Sequence, residues 1–138
     1  MKGKNYFLIL LFVYIVAVYY YAVLSRDAEA KSFVRLDLFQ GYVKPINDSY
    51  RDVITNLVLF MPLGFLVGLS LKKYRVILSF LIGAVVSLAI ETSQLVWHRG
   101  TFDVDDLFNN TVGAVIGGLF TMVVYRMIRS KQLGSING

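Results

Sequence analysis

Glu91 and the run Asp103, Asp105 and Asp106 are the residues of this 138-residue chain whose type and setting best suit chemistry. Glu91 lies inside the apolar stretch Val76–Trp97, and Gln94 follows it by three residues, so on a helix both project to the same side. An acidic residue at the centre of a membrane helix costs about 2.5–3.5 kcal/mol on insertion scales. Glu91 is therefore expected to be protonated or partnered within the protein, and not to face lipid. Asn56, Arg99, Asp103, Asp105, Asp106 and Asn110 all fall near the same ends of neighbouring apolar stretches, with His98, Asn109 and Thr111 beside them. Two carboxylates at one site suit acid/base work. Several carboxylates with an amide suit Mg²⁺ or Ca²⁺ through hard oxygen ligands, and the forked donors of Arg99 suit a phosphate or carboxylate. Each residue also has a purely structural reading. Asp103 can cap the helix that follows, with Asp106 three residues on completing a capping box, and carboxylates suit a helix N-terminus through its dipole. Arg99 can pair with Asp103, Asn56 can hydrogen-bond a neighbouring helix, and His98 can be an interface residue.

Composition narrows the chemistry. The chain has no cysteine and one histidine, which excludes disulfides, thiolate nucleophiles and Cys-based zinc sites and argues against a His-based metal site. There is no P-loop, EF-hand spacing or nucleophile motif, so no cofactor or metal is expected. The net charge of +5 is no sign of nucleic-acid binding, because most lysines and arginines flank apolar runs. Apolar residues reach 57% and charged residues only 17%, against about 45–50% and about 25% in soluble domains. Lipid is the solvent this composition fits.

Four segments are long and apolar enough to position these residues across a bilayer: about 5–25, 53–71, 76–97 and 107–125. A hydrocarbon core of about 30 Å takes about 20 helical residues, and helices satisfy their own backbone in lipid. The expected fold is an all-α, four-helix transmembrane bundle forming a single unit over residues 1–138. Lys2 and Lys4 with Ala28-x-Ala30 resemble a signal peptide, but the first apolar run exceeds a signal core of roughly 7–15 residues, so an uncleaved span is expected. The N-terminus, the Lys72–Arg75 link and the C-terminal segment together carry eight basic residues and no acid, whereas all nine acids lie in the other two connections or at Glu91. The positive-inside rule then predicts a multi-pass protein of the cell membrane with both termini cytoplasmic. The long connection Arg26–Asp52 would be extracytoplasmic. Its middle, Phe33–Phe39, alternates apolar and charged residues, which fits a strand-like or surface-lying segment as well as an ordinary loop. The tail from Leu133 is expected to fray.

Helices in lipid associate where small residues let their backbones approach. Gly64 and Gly68, then Ser79, Gly83 and Ser87, then Gly113, Gly117 and Thr121 give spans two to four a small-residue seam each. Span one has none and is expected at the periphery. Pro62 should kink span two and free a carbonyl for a neighbouring polar group.

Three stretches carry a resemblance. Asn56-Leu-Val-Leu-Phe-Met-Pro-Leu-Gly64, Ser87-Leu-Ala-Ile-Glu91-Thr-Ser-Gln94, and Arg99-Gly-Thr-Phe-Asp103-Val-Asp105-Asp106-Leu-Phe-Asn-Asn110-Thr-Val-Gly113 resemble, in order, signatures of the VanZ-like family, over roughly Asp52 to Gly118. The resemblance implies a four-helix membrane protein and a role in low-level resistance to teicoplanin, without naming a reaction. It also implies functional positions at Asn56, Glu91, Gln94, Arg99, Asp103, Asp106 and Asn110. Three functions compete. The first is a binding or shielding protein at the outer leaflet that recognises a lipoglycopeptide antibiotic or a lipid-linked cell-wall precursor. The second is a membrane-embedded enzyme on a lipid-linked envelope substrate, with Glu91 and the Asp103/Asp106 cluster as acid/base or metal site. The third is a proton-coupled transporter subunit, which would need a homo-oligomer to form a pore.

Overall fold

The computed structural model of the chain describes residues 2–28, 32–37, 39 and 46–136. Four long helices dominate: α1 (Lys2–Tyr19), α2 (Ile46–Ser70), α3 (Arg75–Val96) and α4 (Val104–Ile136). The end of α1 runs on as a π-helical turn, Tyr20–Leu24. Two short strands, β1 (Val34–Arg35) and β2 (Phe102–Asp103), pair in parallel with Val34 opposite Phe102 and Arg35 opposite Asp103. The Phe33–Phe39 region thus contributes a strand, closed by the Phe102 N–H donating to the Phe33 carbonyl at 3.1 Å.

All four helices contain a stretch long and apolar enough to cross a membrane. Large apolar side chains such as Phe12, Val58, Val85 and Phe120 point out of the bundle, the reverse of a water-soluble helix, which turns its apolar stripe inward. The helices outrun the apolar stretches read from sequence. α2 starts at Ile46 rather than near 53, and α4 runs from Val104 to Ile136 rather than from 107 to 125. Hydropathy marks what lipid covers, whereas the helical hydrogen-bond ladder continues until something stops it. The tail expected to fray from Leu133 is helical to Ile136. At about 1.5 Å per residue, the 33 residues of α4 make a rod longer than the bilayer core.

α2, α3 and α4 pack closely, and α1 lies mainly against α2. The seam between α2 and α4 is built on glycine. A methyl group at Gly64 would overlap the Ala114 carbonyl, one at Gly117 the Met61 carbonyl, and one at Gly113 would sit 2.5 Å from the Leu57 oxygen. Gly83 on α3 leaves room for the Ala114 side chain, and Gly68 faces Thr121. Gly118, which lies outside the i, i+4 pattern, makes way for Ser79, whose hydroxyl donates to the Gly64 carbonyl at 3.0 Å. Pro62 sits inside α2 without ending it. One residue past the Val58 carbonyl that Pro62 leaves without its N–H donor, the Leu59 carbonyl accepts the Tyr14 hydroxyl at 2.8 Å. α1 thus sets a polar group near the proline, but on Leu59 and not on the carbonyl that Pro62 frees.

Candidate functional site

The acidic residues converge where α3 ends and α4 begins. α3 stops in a tight turn: His98 takes a left-handed conformation, and Gly100 leaves space that a side chain would contest with Arg26 and Gln94. The chain then re-enters through β2 directly into α4, which sets the first turn of α4 beside the last turns of α3.

Glu91 is 2% exposed, and its Oε2 accepts the Asp103 N–H at 3.0 Å. The Asp103 Oδ1 accepts the Asp105 N–H at 3.0 Å, a standard N-cap for α4. The cap expected at Asp103 is therefore present, but its reciprocal half does not come from Asp106. A capping box uses a Glu or Gln three residues on to reach back to the cap N–H. Asp106 is one methylene shorter, and Glu91 of α3 fills that role from another helix. Asp106 turns instead to α2, where its Oδ1 accepts from Asn56 Nδ2 at 2.7 Å.

The cations are distributed differently from the sequence expectation. Arg99 does not pair with Asp103. Its Nη1 donates to the Leu24 carbonyl at 2.8 Å and to the Arg26 carbonyl. Leu24 closes the π-helical turn and Arg26 lies just beyond it, where the helix has ended and its last carbonyls have no further N–H to receive. Gln94, 3% exposed, does the same one turn deeper, donating to the Ala22 carbonyl at 2.9 Å. Gln94 and Arg99 are thus clamps on the end of α1. The partner of Asp103 is Arg35 on β1, with Nη1 2.7 Å from Oδ2. Asp105 Oδ1 accepts the Phe39 N–H at 2.7 Å, and the Phe39 ring meets Phe108 edge-on at 6.0 Å.

Deeper in, Asn110 is 4% exposed and donates from Nδ2 to the Ser87 hydroxyl at 3.0 Å. Its Oδ1 is buried with no partner among the described residues. Asn56, Glu91, Asp103, Asp105, Asp106 and Asn110 therefore surround the start of α4, with Gln94 and Arg99 beside them, turned toward α1. Arg35, Phe39 and Ser87 complete the arrangement. Arg35 carried one legible signal, a cation within an apolar alternation that the topology returns to the acidic end. Phe39 carried none. No group of three His, Cys, Asp or Glu side chains is arranged to hold a metal among the described residues. On the lipid-facing side of the same two helices, an apolar groove of about 390 Å³ runs between α3 and α4, lined by Ala84, Leu88, Leu107, Phe108 and Thr111 among others.

Four apolar spanning helices with a buried polar cluster at one end define a multi-pass integral membrane protein. The family model described as VanZ/LLP1 matches residues 6–126, and the chain belongs to that family. Protein VanZ of Enterococcus faecium is 32% identical over 69 residues, or 50% of this chain. That stretch is 43% of the relative, so the chain spans under half the length of the curated protein it matches. No solved structure matches.

Proposed function

We propose that the acidic end is an outward-facing recognition site for a lipid-tailed ligand, of the teicoplanin type or a lipid-linked cell-wall precursor. Binding or shielding such an amphiphile at the outer leaflet would contribute to glycopeptide resistance. Both termini would be cytoplasmic, with the eight basic residues of the opposite end held inside by the positive-inside rule. The observation that carries the reading is the adjacency of two unlike surfaces on one pair of helices. α3 and α4 bury Glu91, Ser87 and Asn110 on one side and open an apolar groove to lipid on the other. Phe108 and Thr111 line that groove within the turns that hold Asn109 and Asn110. An amphiphile needs such a pair, with polar groups for its head and a dry channel for its acyl chain. The Asn110 Oδ1, buried without a partner among the described residues, would supply an acceptor for a ligand donor, since a buried polar group without a partner costs about 1–3 kcal/mol.

Direct binding to the purified full-length chain tests the reading. The lipoglycopeptide should bind, a glycopeptide of the same core lacking the acyl chain should bind at least about tenfold more weakly, and no new product should form. Equal binding of the two would remove the groove from the account. Turnover of a lipid-linked substrate would replace binding with catalysis by Glu91 and the Asp103/Asp106 cluster.

A further inference from the structure

The opposite end of the bundle carries a second groove, of about 390 Å³, between the start of α3 and the far part of α4. Lys72, Arg75, Arg126 and Arg129 line it. Among the described residues none of these four makes an ion pair, and no acid occurs in either stretch of sequence. Four like charges around one depression repel each other unless an anion joins them.

The cations are not merely loose ends on a surface. The Arg75 guanidinium lies over the Tyr125 ring, 4.0 Å from its centroid, a cation–π contact that fixes its plane. Its Nε is buried with no hydrogen-bond partner among the described residues. Tyr74, just before it, holds a left-handed backbone at φ 57°, a conformation that costs a non-glycine residue energy and persists where surrounding structure enforces it. Arg126 and Arg129 lie four and seven residues beyond Met122, which puts all three on one face of α4. Ile77 and Met122 provide an apolar floor.

We propose that this groove binds one anionic phospholipid, with the phosphate among Lys72, Arg75, Arg126 and Arg129 and an acyl chain running along Ile77 and Met122. Charge complementarity selects the head, and the apolar floor, continuous with the membrane-spanning surface of α3 and α4, selects a lipid over a soluble phosphate. Basic pockets between membrane helices bind acidic headgroups by this combination. The site is independent of the acidic end and does not rest on its function.

The test is native mass spectrometry of the full-length chain in detergent, titrated with dioleoylphosphatidylglycerol or dioleoylphosphatidylcholine. The first phosphatidylglycerol should bind about tenfold more tightly than phosphatidylcholine. R126Q/R129Q alters two exposed side chains and should bring that ratio below about twofold. K2Q/K4Q, with the same change in net charge at the same end, should leave it unchanged. Y125A removes no charge but frees Arg75, and should lower the ratio by about threefold. Equal affinity for both lipids, an undiminished ratio in R126Q/R129Q, or an equal loss in K2Q/K4Q would overturn the proposal. A Y125A chain with the full ratio would reduce the groove to surface charge and overturn a built site. Displacement of the lipid by millimolar glycerol phosphate would overturn the lipid as occupant.

Discussion

The two ends of the bundle handle charge in opposite ways. At the acidic end, Glu91, Asp103, Asp105 and Asp106 each accept a hydrogen bond from a defined protein donor: the Asp103 N–H, Arg35, the Phe39 N–H and Asn56. At the basic end, Lys72, Arg75, Arg126 and Arg129 have no carboxylate partner among the described residues, and the contacts there are to aromatic rings. Depth accounts for the difference. Glu91 is buried in the bundle, where an unsatisfied polar group is expensive, so the fold had to supply donors. Long basic side chains at a helix end can snorkel to water or to lipid phosphates, so the fold could leave them free. The carboxylates of one end are therefore met by donors within the protein, whereas the cations of the other are left for the external anion proposed above.

That contrast predicts a graded response to substitution. The seam beneath both ends should be the most sensitive. Gly117→Val pushes a side chain into the Met61 carbonyl and forces α2 away from α4, at a cost of about 1–3 kcal/mol or more. Most of the protein should lose its sharp thermal transition in detergent. Next comes Glu91. Glu91→Ala leaves the buried Asp103 N–H without its acceptor and should cost about 1–3 kcal/mol, read as a lowered melting temperature. Glu91→Gln keeps an acceptor oxygen there and should cost under about 1 kcal/mol. If Glu91→Gln also keeps binding of the proposed lipid-tailed ligand, a proton or metal role for Glu91 loses its main support.

A smaller effect is expected at the rim. A double-mutant cycle on Arg35 and Asp103, joined at 2.7 Å but partly exposed, should return a coupling of about 0.2–1 kcal/mol that falls with added salt. The same cycle on Arg99 and Asp103 should return about zero, because Arg99 donates to backbone carbonyls instead. The smallest effect belongs to the basic end. R126Q/R129Q should change thermal stability by less than about 0.5 kcal/mol, since neither residue has an ion-pair partner to lose among the described residues. A large loss there would erase the contrast between the ends.

Much of this arrangement was legible in the residues. Four apolar runs gave four spanning helices, the glycines at 64, 113 and 117 fell on the α2–α4 seam, and a carboxylate stranded in an apolar run implied company for Glu91. Sequence does not choose among partners of the same charge. Arg99 is four residues from Asp103 and looked like its mate, but a two-residue parallel strand pair brings Arg35 across from a distant segment. Nor did the sequence show that α1 ends in a π-helical turn. The carbonyls that engage Gln94 and Arg99 belong to that helix end, where the last carbonyls lack intrahelical donors, so the roles of both residues were set by where a different helix stops. Similarly, Asp106 was one methylene short of the capping partner its spacing implied, and its bond to Asn56 depends on how α2 crosses α4.

The end of the bundle that holds Glu91 should face the outside, and the basic groove the inside. The absence of cysteine makes this directly measurable by placing single cysteines at His98 and Lys73, both exposed and at opposite ends of α3. A membrane-impermeant maleimide added to intact cells should label His98→Cys and leave Lys73→Cys unlabelled until the membrane is opened. Labelling of Lys73→Cys on intact cells, with His98→Cys protected, would contradict the account.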